Sequence, residues 1–127
     1  SEFFNEQVSR IINPPDDPVL LGRQILDSGA YPCATCHVLD DLGWTGNIGP
    51  SLNLIGSQDR INRRLSATGS ASMEEYLIAS IRHPGDYLVP GYGNLMPQFN
   101  PEPNQPNYMP DSDLEAIVAY LLSQTGE

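Results

Sequence analysis

The stretch Cys33-Ala34-Thr35-Cys36-His37 decides what this chain folds around. Two cysteines three positions apart, followed at once by histidine, predict the covalent attachment of a c-type haem. Each thiol adds to a vinyl group of the porphyrin, and the two residues between them let both sulfurs reach one edge of the macrocycle. His37 then lies beneath the iron, where its imidazole can serve as the proximal ligand.

Two other interpretations of this motif fit the chain less well. A redox disulfide between Cys33 and Cys36 would be expected inside a βαβ pattern, which does not surround the motif. A structural zinc site needs four ligands, and the sequence offers only Cys33, Cys36, His37 and His83. Because Cys36 and His37 are adjacent, they would not readily point at one tetrahedral centre.

Composition and charge are typical of a small domain wrapped around a prosthetic group. The 127 residues suffice for one domain with a modest core, and the 12 prolines and 11 glycines predict many loops. The net charge is −10 and the chain has no lysine, which argues against nucleic acid and anionic membranes as partners. No apolar run approaches the roughly 20 residues of a membrane span. Since the sequence opens at Ser1, we expect a processed form or a fragment. Whether a membrane anchor lies upstream is therefore left open.

The chain divides into an N-terminal extension, residues 1–15, and one domain, residues 16–127. Apolar residues of the extension share one helical face and predict a short amphipathic helix that ends at two prolines. We expect it to pack against the domain, with partner or membrane binding as the alternative. Caps and apolar periodicity then predict four further helices, from Asp17 to about Gly29, Asp59 to Leu65, Ser72 to about Arg82, and Ser112 to near Gly126. No β-rich alternation is present, so the predicted fold class is all-α.

The sixth iron ligand distinguishes an electron carrier, which has a second strong ligand, from a haem whose sixth position is open to small molecules. The candidates are Met73, Met96, Met109 and His83. Met73 falls in the first turn of a predicted helix, where a core role is favoured. Met96 lies in an extended loop, where no helix or core role competes with iron binding. The proline that follows it fixes the turn.

Several motifs together resemble the class I cytochromes c over most of residues 17–125. They are Cys33 to His37, Gly49-Pro50-Ser51-Leu52, the stretch Tyr76 to Pro84, and Met96-Pro97 with Phe99. The resemblance implies a carbonyl of Pro50 that accepts a hydrogen bond from His37, and Met96 as the second iron ligand. It also implies that the terminal helices cross through a small and an aromatic residue, for which Gly22 and Tyr120 are the candidates.

The pattern is most similar to bacterial forms, including the cytochrome c domain of haem–copper oxidase subunit II. The chain also departs from the family pattern. His83 stands where asparagine is usual before the proline, and the segment from Asn100 to Asp111 is longer and richer in proline than usual. That segment contains Met109-Pro110, which mimics the ligand dipeptide, but Met109 lies close to the start of the last helix.

These observations predict a monohaem c-type cytochrome with His37 and Met96 as iron ligands. We expect Leu52, Ile55, Ile81 and Leu95 to line the haem pocket with Pro50. Arg60 and Arg64 either pair with the haem propionates or lie on the solvated surface. The resemblance implies a one-electron carrier, not an enzyme, on the periplasmic or extracytoplasmic face of a bacterial membrane. Its implied donor is a quinol-oxidising complex, and its implied acceptor is a haem–copper oxidase or a photosynthetic reaction centre.

Two other functions stay open at this stage. The haem could be one link in a fixed relay within a membrane oxidoreductase complex, as a subunit or a domain. Less in keeping with the motifs, a labile sixth position would give a haem enzyme or sensor. Such a site needs a distal acid–base group, for which His83 is the only histidine left.

Overall fold

The computed structural model describes residues 16–126, and within that range the chain is built from four α-helices. They are α1 (Pro18–Asp27), α2 (Gln58–Thr68), α3 (Met73–Arg82) and α4 (Asp111–Leu122). Two strands, β1 (Val38–Leu39) and β2 (Trp44–Thr45), form a minimal antiparallel ribbon. The all-α prediction is therefore confirmed. The amphipathic helix predicted for residues 1–15 lies outside the described residues.

The predicted starts of α1 and α3 are confirmed by side-chain caps. The carboxylate of Asp17 accepts a hydrogen bond from the amide of Val19 at 2.9 Å, and the hydroxyl of Ser72 accepts one from the amide of Glu75 at 3.1 Å. The return bond of the capping box is shifted by one residue. Glu75 accepts from the amide of Ala71 at 3.3 Å, so this carboxylate holds the chain just before the helix.

Helix α4 does not begin where the capping pattern at Ser112 predicts. It begins at Asp111, directly after the extended residue Pro110, and it has no side-chain cap. Asp111 and Asp113 instead place negative charge in the first turn, where it complements the helix dipole. Ser112 is therefore an internal helix residue, and the helix ends at Leu122, earlier than predicted.

Helix α2 is longer than predicted at both ends. The hydroxyl of Ser57 accepts from the amide of Arg60 at 3.4 Å and starts the helix before Asp59. At the other end the helix continues to Thr68 and stops at Gly69, whose φ of 72° lies in the left-handed region that glycine tolerates. Residues 66–68 are thus helical, because helix-compatible residues run unbroken to that glycine.

The first and last described helices cross at a glycine. A Cβ at Gly22 would lie 2.0 Å from the carbonyl oxygen of Ala116 and 2.9 Å from Cβ of Tyr120. Only glycine lets the two backbones approach so closely, so the predicted contact between Gly22 and Tyr120 is confirmed. The crossing carries much of the core, whose buried members on these helices are Ile25, Leu26, Leu114, Ala116, Ile117, Val118, Tyr120 and Leu121.

A polar contact ties this crossing to the segment after the haem motif. The phenol of Tyr120 donates a hydrogen bond to the carboxylate of Asp41, which also pairs with Arg23 at 3.4 Å. Burial raises the pKa of Tyr120, and the bond to Asp41 raises it further. The phenol therefore stays a donor at neutral pH.

The β-ribbon was not predicted. Each strand has only two residues, paired as Val38 with Thr45 and Leu39 with Trp44. A strand of two residues cannot show a period of two, so the sequence carries no alternation signal. Gly43, with a φ of 71°, closes the turn between the strands.

Candidate haem site

The predicted attachment motif folds as a tight turn. A 3₁₀-helix, Pro32–Thr35, carries the first cysteine, and the carbonyl oxygen of Cys33 accepts from the amides of Cys36 and His37, each at 3.2 Å. The turn therefore gathers the three motif side chains within one short loop. Burial raises the pKa of the Cys33 thiol to about 11, so this sulfur is neutral in an apolar setting.

A second segment, residues 49–53, lies alongside the motif and fixes His37. The amide of Gly49 donates to the carbonyl of Cys36 at 2.7 Å, and the amide of Leu52 donates to the carbonyl of Val38 at 2.8 Å. Between them, Nδ1 of His37 lies 2.6 Å from the carbonyl oxygen of Pro50. Because a carbonyl only accepts, Nδ1 carries the proton, and Nε2 is left with a lone pair for a metal.

Two glycines make room for this arrangement. A Cβ at Gly49 would lie 2.8 Å from Cε1 of His37 and 3.1 Å from its Nδ1. A Cβ at Gly46 would lie 2.6 Å from the carbonyl oxygen of Thr35. The imidazole thus packs against the backbone of Gly49. A side chain at Gly46 or Gly49 would displace the attachment motif.

His37 lines a cleft. The space between its walls is about 760 Å³, a figure that includes volume open to solvent. Its walls hold seven of the residues singled out from the sequence, namely Cys36, His37, Pro50, Leu52, Ile55, Leu95 and Met96. Cys33 is not part of these walls, although it lies on the same turn and packs against the core.

Ile81 is the pocket prediction that the structure does not support. It is 8% exposed and belongs to the core, not to the walls of the cleft. On α3 the row Met73, Leu77 and Ile81 faces the core, with Leu77 also reaching the cleft. The neighbouring row, Tyr76 and Ser80, faces the cleft and continues to Pro84.

Sequence reasoning predicted Leu95 but missed Tyr87 and the other exposed apolar residues around the mouth of the cleft. Tyr87 lines it and packs edge-to-face on Tyr76, with ring centroids 6.2 Å apart. Four other wall residues are unusually exposed for apolar side chains. They are Leu95 at 68%, Ile48 at 49%, Leu88 at 42% and Tyr92 at 38%.

The cleft also contains a buried cation. Arg64 is 8% exposed and forms part of the cleft wall, and within residues 16–126 its Nε has no hydrogen-bond partner. One turn earlier on α2, Arg60 donates from Nη1 to the carbonyl of Ser51 at 3.2 Å. Burial lowers the pKa of Arg60, and repulsion by Arg64 lowers it further. Both guanidiniums therefore favour an anionic group at this end of the cleft.

These features fit a haem. The walls are mostly apolar, the free Nε2 of His37 can bind iron, and the orphaned Nε of Arg64 suits a carboxylate of the macrocycle. An all-α domain with a Cys-x-x-Cys-His turn at such a cleft defines a c-type haem protein. A family model for cytochrome c matches residues 20–125, more than half of the chain. The chain belongs to the cytochrome c family and carries covalently attached haem c.

The comparison with curated proteins gave no match to this chain. The family assignment supports an iron-containing haem protein of electron transport, in a family whose members are typically electron carriers and not enzymes. Such domains are commonly extracytoplasmic. Within the part of the chain that the structure describes, no helix is long and apolar enough to cross a membrane.

Proposed function

We propose that this protein is a monohaem cytochrome with His37 and Met96 as iron ligands, which passes single electrons between larger redox complexes. The observation that carries the proposal is that both side chains line the same cleft. His37 presents its free nitrogen there, while Met96 belongs to the loop between α3 and the proline-rich segment.

The other candidates for the second ligand lie elsewhere. Met109 is 1% exposed and Met73 is 4% exposed, and both are buried in the core. His83 is exposed and lines an adjoining depression together with Thr68; it is not among the residues that line the haem cleft. Of the four candidates, Met96 alone belongs to the walls around His37.

The positions of these methionines and histidines also favour electron transfer over enzymatic catalysis. A peroxidase-like site needs an acid–base group on the side of the haem opposite the proximal ligand. Among the described residues that line the cleft, His37 is the only histidine, and its Nδ1 is already bonded to Pro50. A methionine ligand and an apolar pocket both disfavour the extra charge of Fe(III), and so raise the reduction potential.

Arg60 and Arg64 are proposed to hold the haem propionates. The other described arginines each have an acidic partner: Arg23 with Asp41, Arg63 with Asp59 and Arg82 with Asp111. Arg60 and Arg64 form no such ion pair with a carboxylate, although the chain has a net charge of −10. The haem propionates would supply the anions for these two arginines. The buried position of Arg64 makes it the stronger of the two contacts.

Electron exchange is proposed to occur at the mouth of the cleft. The exposed apolar residues there, Ile48, Leu88, Tyr92 and Leu95, form an uncharged surface. Asp40 and Asp86 are exposed on neighbouring segments, and the sequence has no lysine to surround the haem edge. A small apolar contact with an acidic rim suits brief encounters with a quinol-oxidising donor and with an oxidase or reaction-centre acceptor in the periplasm. The same contact would serve a haem fixed in a membrane complex.

The test compares two matched substitutions in the haem-loaded protein. Leucine keeps the volume of methionine but has no sulfur, so Met96→Leu is expected to abolish the charge-transfer band at the red end of the oxidised spectrum and to lower the potential. Met109→Leu is expected to keep both. If Met109→Leu removes the band and Met96→Leu retains it, the ligand assignment is wrong. If the unaltered protein is high-spin without the band, the sixth position is open and the carrier proposal fails.

A further inference from the structure

Arg82, the last residue of α3, is a buried cation with a full set of partners. It is 8% exposed. Its Nη1 donates to the carbonyl of Met109 at 2.7 Å and to that of Phe99 at 3.3 Å, while Nη2 donates to the carboxylate of Asp111 at 2.7 Å. Burying a charge is costly unless it is paired in this way, so the arrangement ties Phe99 and the stretch from Met109 to Asp111 to one side chain.

Arg82 and its partner Phe99 bound the segment that carries Met96. We call residues 83–98 the distal loop. It begins directly after Arg82, and it ends at Phe99, whose carbonyl Arg82 holds. The amide of Phe99 also donates to the carbonyl of Ile81 at 3.3 Å. Arg82 therefore closes the distal loop at its base.

Phe99 is also held by contacts with residues other than Arg82. Phe99 is 3% exposed, and its ring packs edge-to-face on Tyr31, with centroids 5.8 Å apart. Tyr31 stands two positions before Cys33, and its hydroxyl donates to Asp113 at 2.6 Å. The end of the distal loop is thus held against the attachment turn and against the start of α4.

Between its two ends the distal loop forms few internal hydrogen bonds. From Pro90 to Gln98 all residues except Met96 are exposed. The backbone hydrogen bonds recorded within it are those of Asp86 to His83 and of Tyr92 to Val89. Tyr87 and Met96 pack against the core, and the exposed residues of the loop keep their position through its closed ends, because opening the base returns conformational freedom to them.

We propose that Arg82 is a positioning residue for the bond between Met96 and the iron. By closing the base of the distal loop, it keeps the thioether of Met96 over the haem and so limits access of other ligands to the sixth position. This inference rests on the proposed ligand role of Met96. Arg82 does not line the cleft and acts only through Phe99 and the loop.

The experiment measures imidazole binding to the oxidised, haem-loaded protein, since imidazole must displace Met96. Arg82→Gln leaves the carbonyls of Phe99 and Met109 without their charged donor, and imidazole is expected to bind roughly tenfold more tightly. Arg63→Gln is the matched control, because Arg63 forms an exposed pair with Asp59 at 2.9 Å and has no contact with the loop. Its imidazole affinity is expected to equal that of the unaltered protein. Equal affinity in the Arg82→Gln and Arg63→Gln variants overturns the proposal.

A second readout separates positioning from general stability. In a urea titration of Arg82→Gln, the charge-transfer band is expected to vanish at a lower urea concentration than helical circular dichroism does. A parallel shift of both signals would show a purely structural role and overturn the inference. If Arg82→Gln does not fold, Asp111→Asn replaces it, since it removes only the exposed partner; unchanged imidazole affinity in that variant also overturns the inference. A missing band in the unaltered protein would instead refute the ligand assignment itself.

Discussion

Nδ1 of His37 lies 2.6 Å from the carbonyl oxygen of Pro50, and this contact sets the chemistry of the imidazole. The N–H that points at a carbonyl fixes the tautomer and the plane of the ring, and it makes the opposite nitrogen a better electron donor to a metal. Gly49 lies directly against the same ring. The proximal side is therefore determined by how two separate segments fit together.

Gly49→Ala is expected to raise the reduction potential. The added Cβ would lie 2.8 Å from Cε1 of His37, so the ring must tilt away from the carbonyl of Pro50. A weaker hydrogen bond makes the imidazole a poorer donor and stabilises Fe(III) less. Redox titration of the haem-loaded protein measures the change. An unchanged or lower potential in Gly49→Ala would contradict this account.

Gly22→Ala is expected to destabilise the fold. Its Cβ would overlap the carbonyl oxygen of Ala116, so α1 and α4 must separate. Overpacking of this kind costs about 1–3 kcal/mol of the free energy of unfolding. Urea unfolding followed by circular dichroism measures it, with Gly93→Ala as the control, because a Cβ at Gly93 meets nothing closer than 3.7 Å. Equal stability of the two variants would mean that the crossing adapts without loss.

Arg64→Gln is expected to lower the reduction potential by an amount on the order of 50 mV. A buried cation in the wall of the haem cleft disfavours the additional positive charge of Fe(III), and its removal relieves that effect. Arg63→Gln removes the same charge from an exposed ion pair and is expected to change the potential much less. If both variants shift it equally, Arg64 does not face the haem anion as proposed.

At high pH the protein is expected to keep its methionine ligand longer than cytochromes that exchange it for lysine. The chain has no lysine, and arginine does not deprotonate in the accessible range. Any alkaline form should therefore carry a non-lysine ligand such as hydroxide. Electron paramagnetic resonance of the alkaline oxidised protein identifies the ligand. An amine nitrogen signal that persists after acetylation of the Ser1 amino group would refute the prediction.

The rate of electron transfer to the native acceptor is expected to fall only mildly with salt. The proposed contact around Leu95 and Tyr92 is apolar and uncharged, so screening affects only its acidic rim. Stopped-flow rates across a range of ionic strength provide the measurement. A steep fall would mean that charge pairing dominates docking, and a marked rise would mean that the partner surface is acidic as well.

Local signals in the sequence located most of the described helices. The cap at Asp17 and the capping pattern at Ser72 act within a few residues, so the starts of α1 and α3 could be predicted without any tertiary contact. The start of α4 could not, because Asp111 bonds to Arg82 on another helix. The β-ribbon left no pattern either, since it depends on pairing between two strands of two residues each.

The sequence by itself determined the chemistry: the Cys33 to His37 spacing specifies covalent haem, and a family resemblance pointed to Pro50 and Met96. That information is local, because it depends on residue type and spacing along the chain. Only the tertiary structure decided which methionine lines the same cleft as His37, which arginine is buried in the wall of that cleft, and that Ile81 belongs to the core. Those outcomes depend on how helices and loops pack across long separations in sequence, and no short stretch of residues encodes that packing.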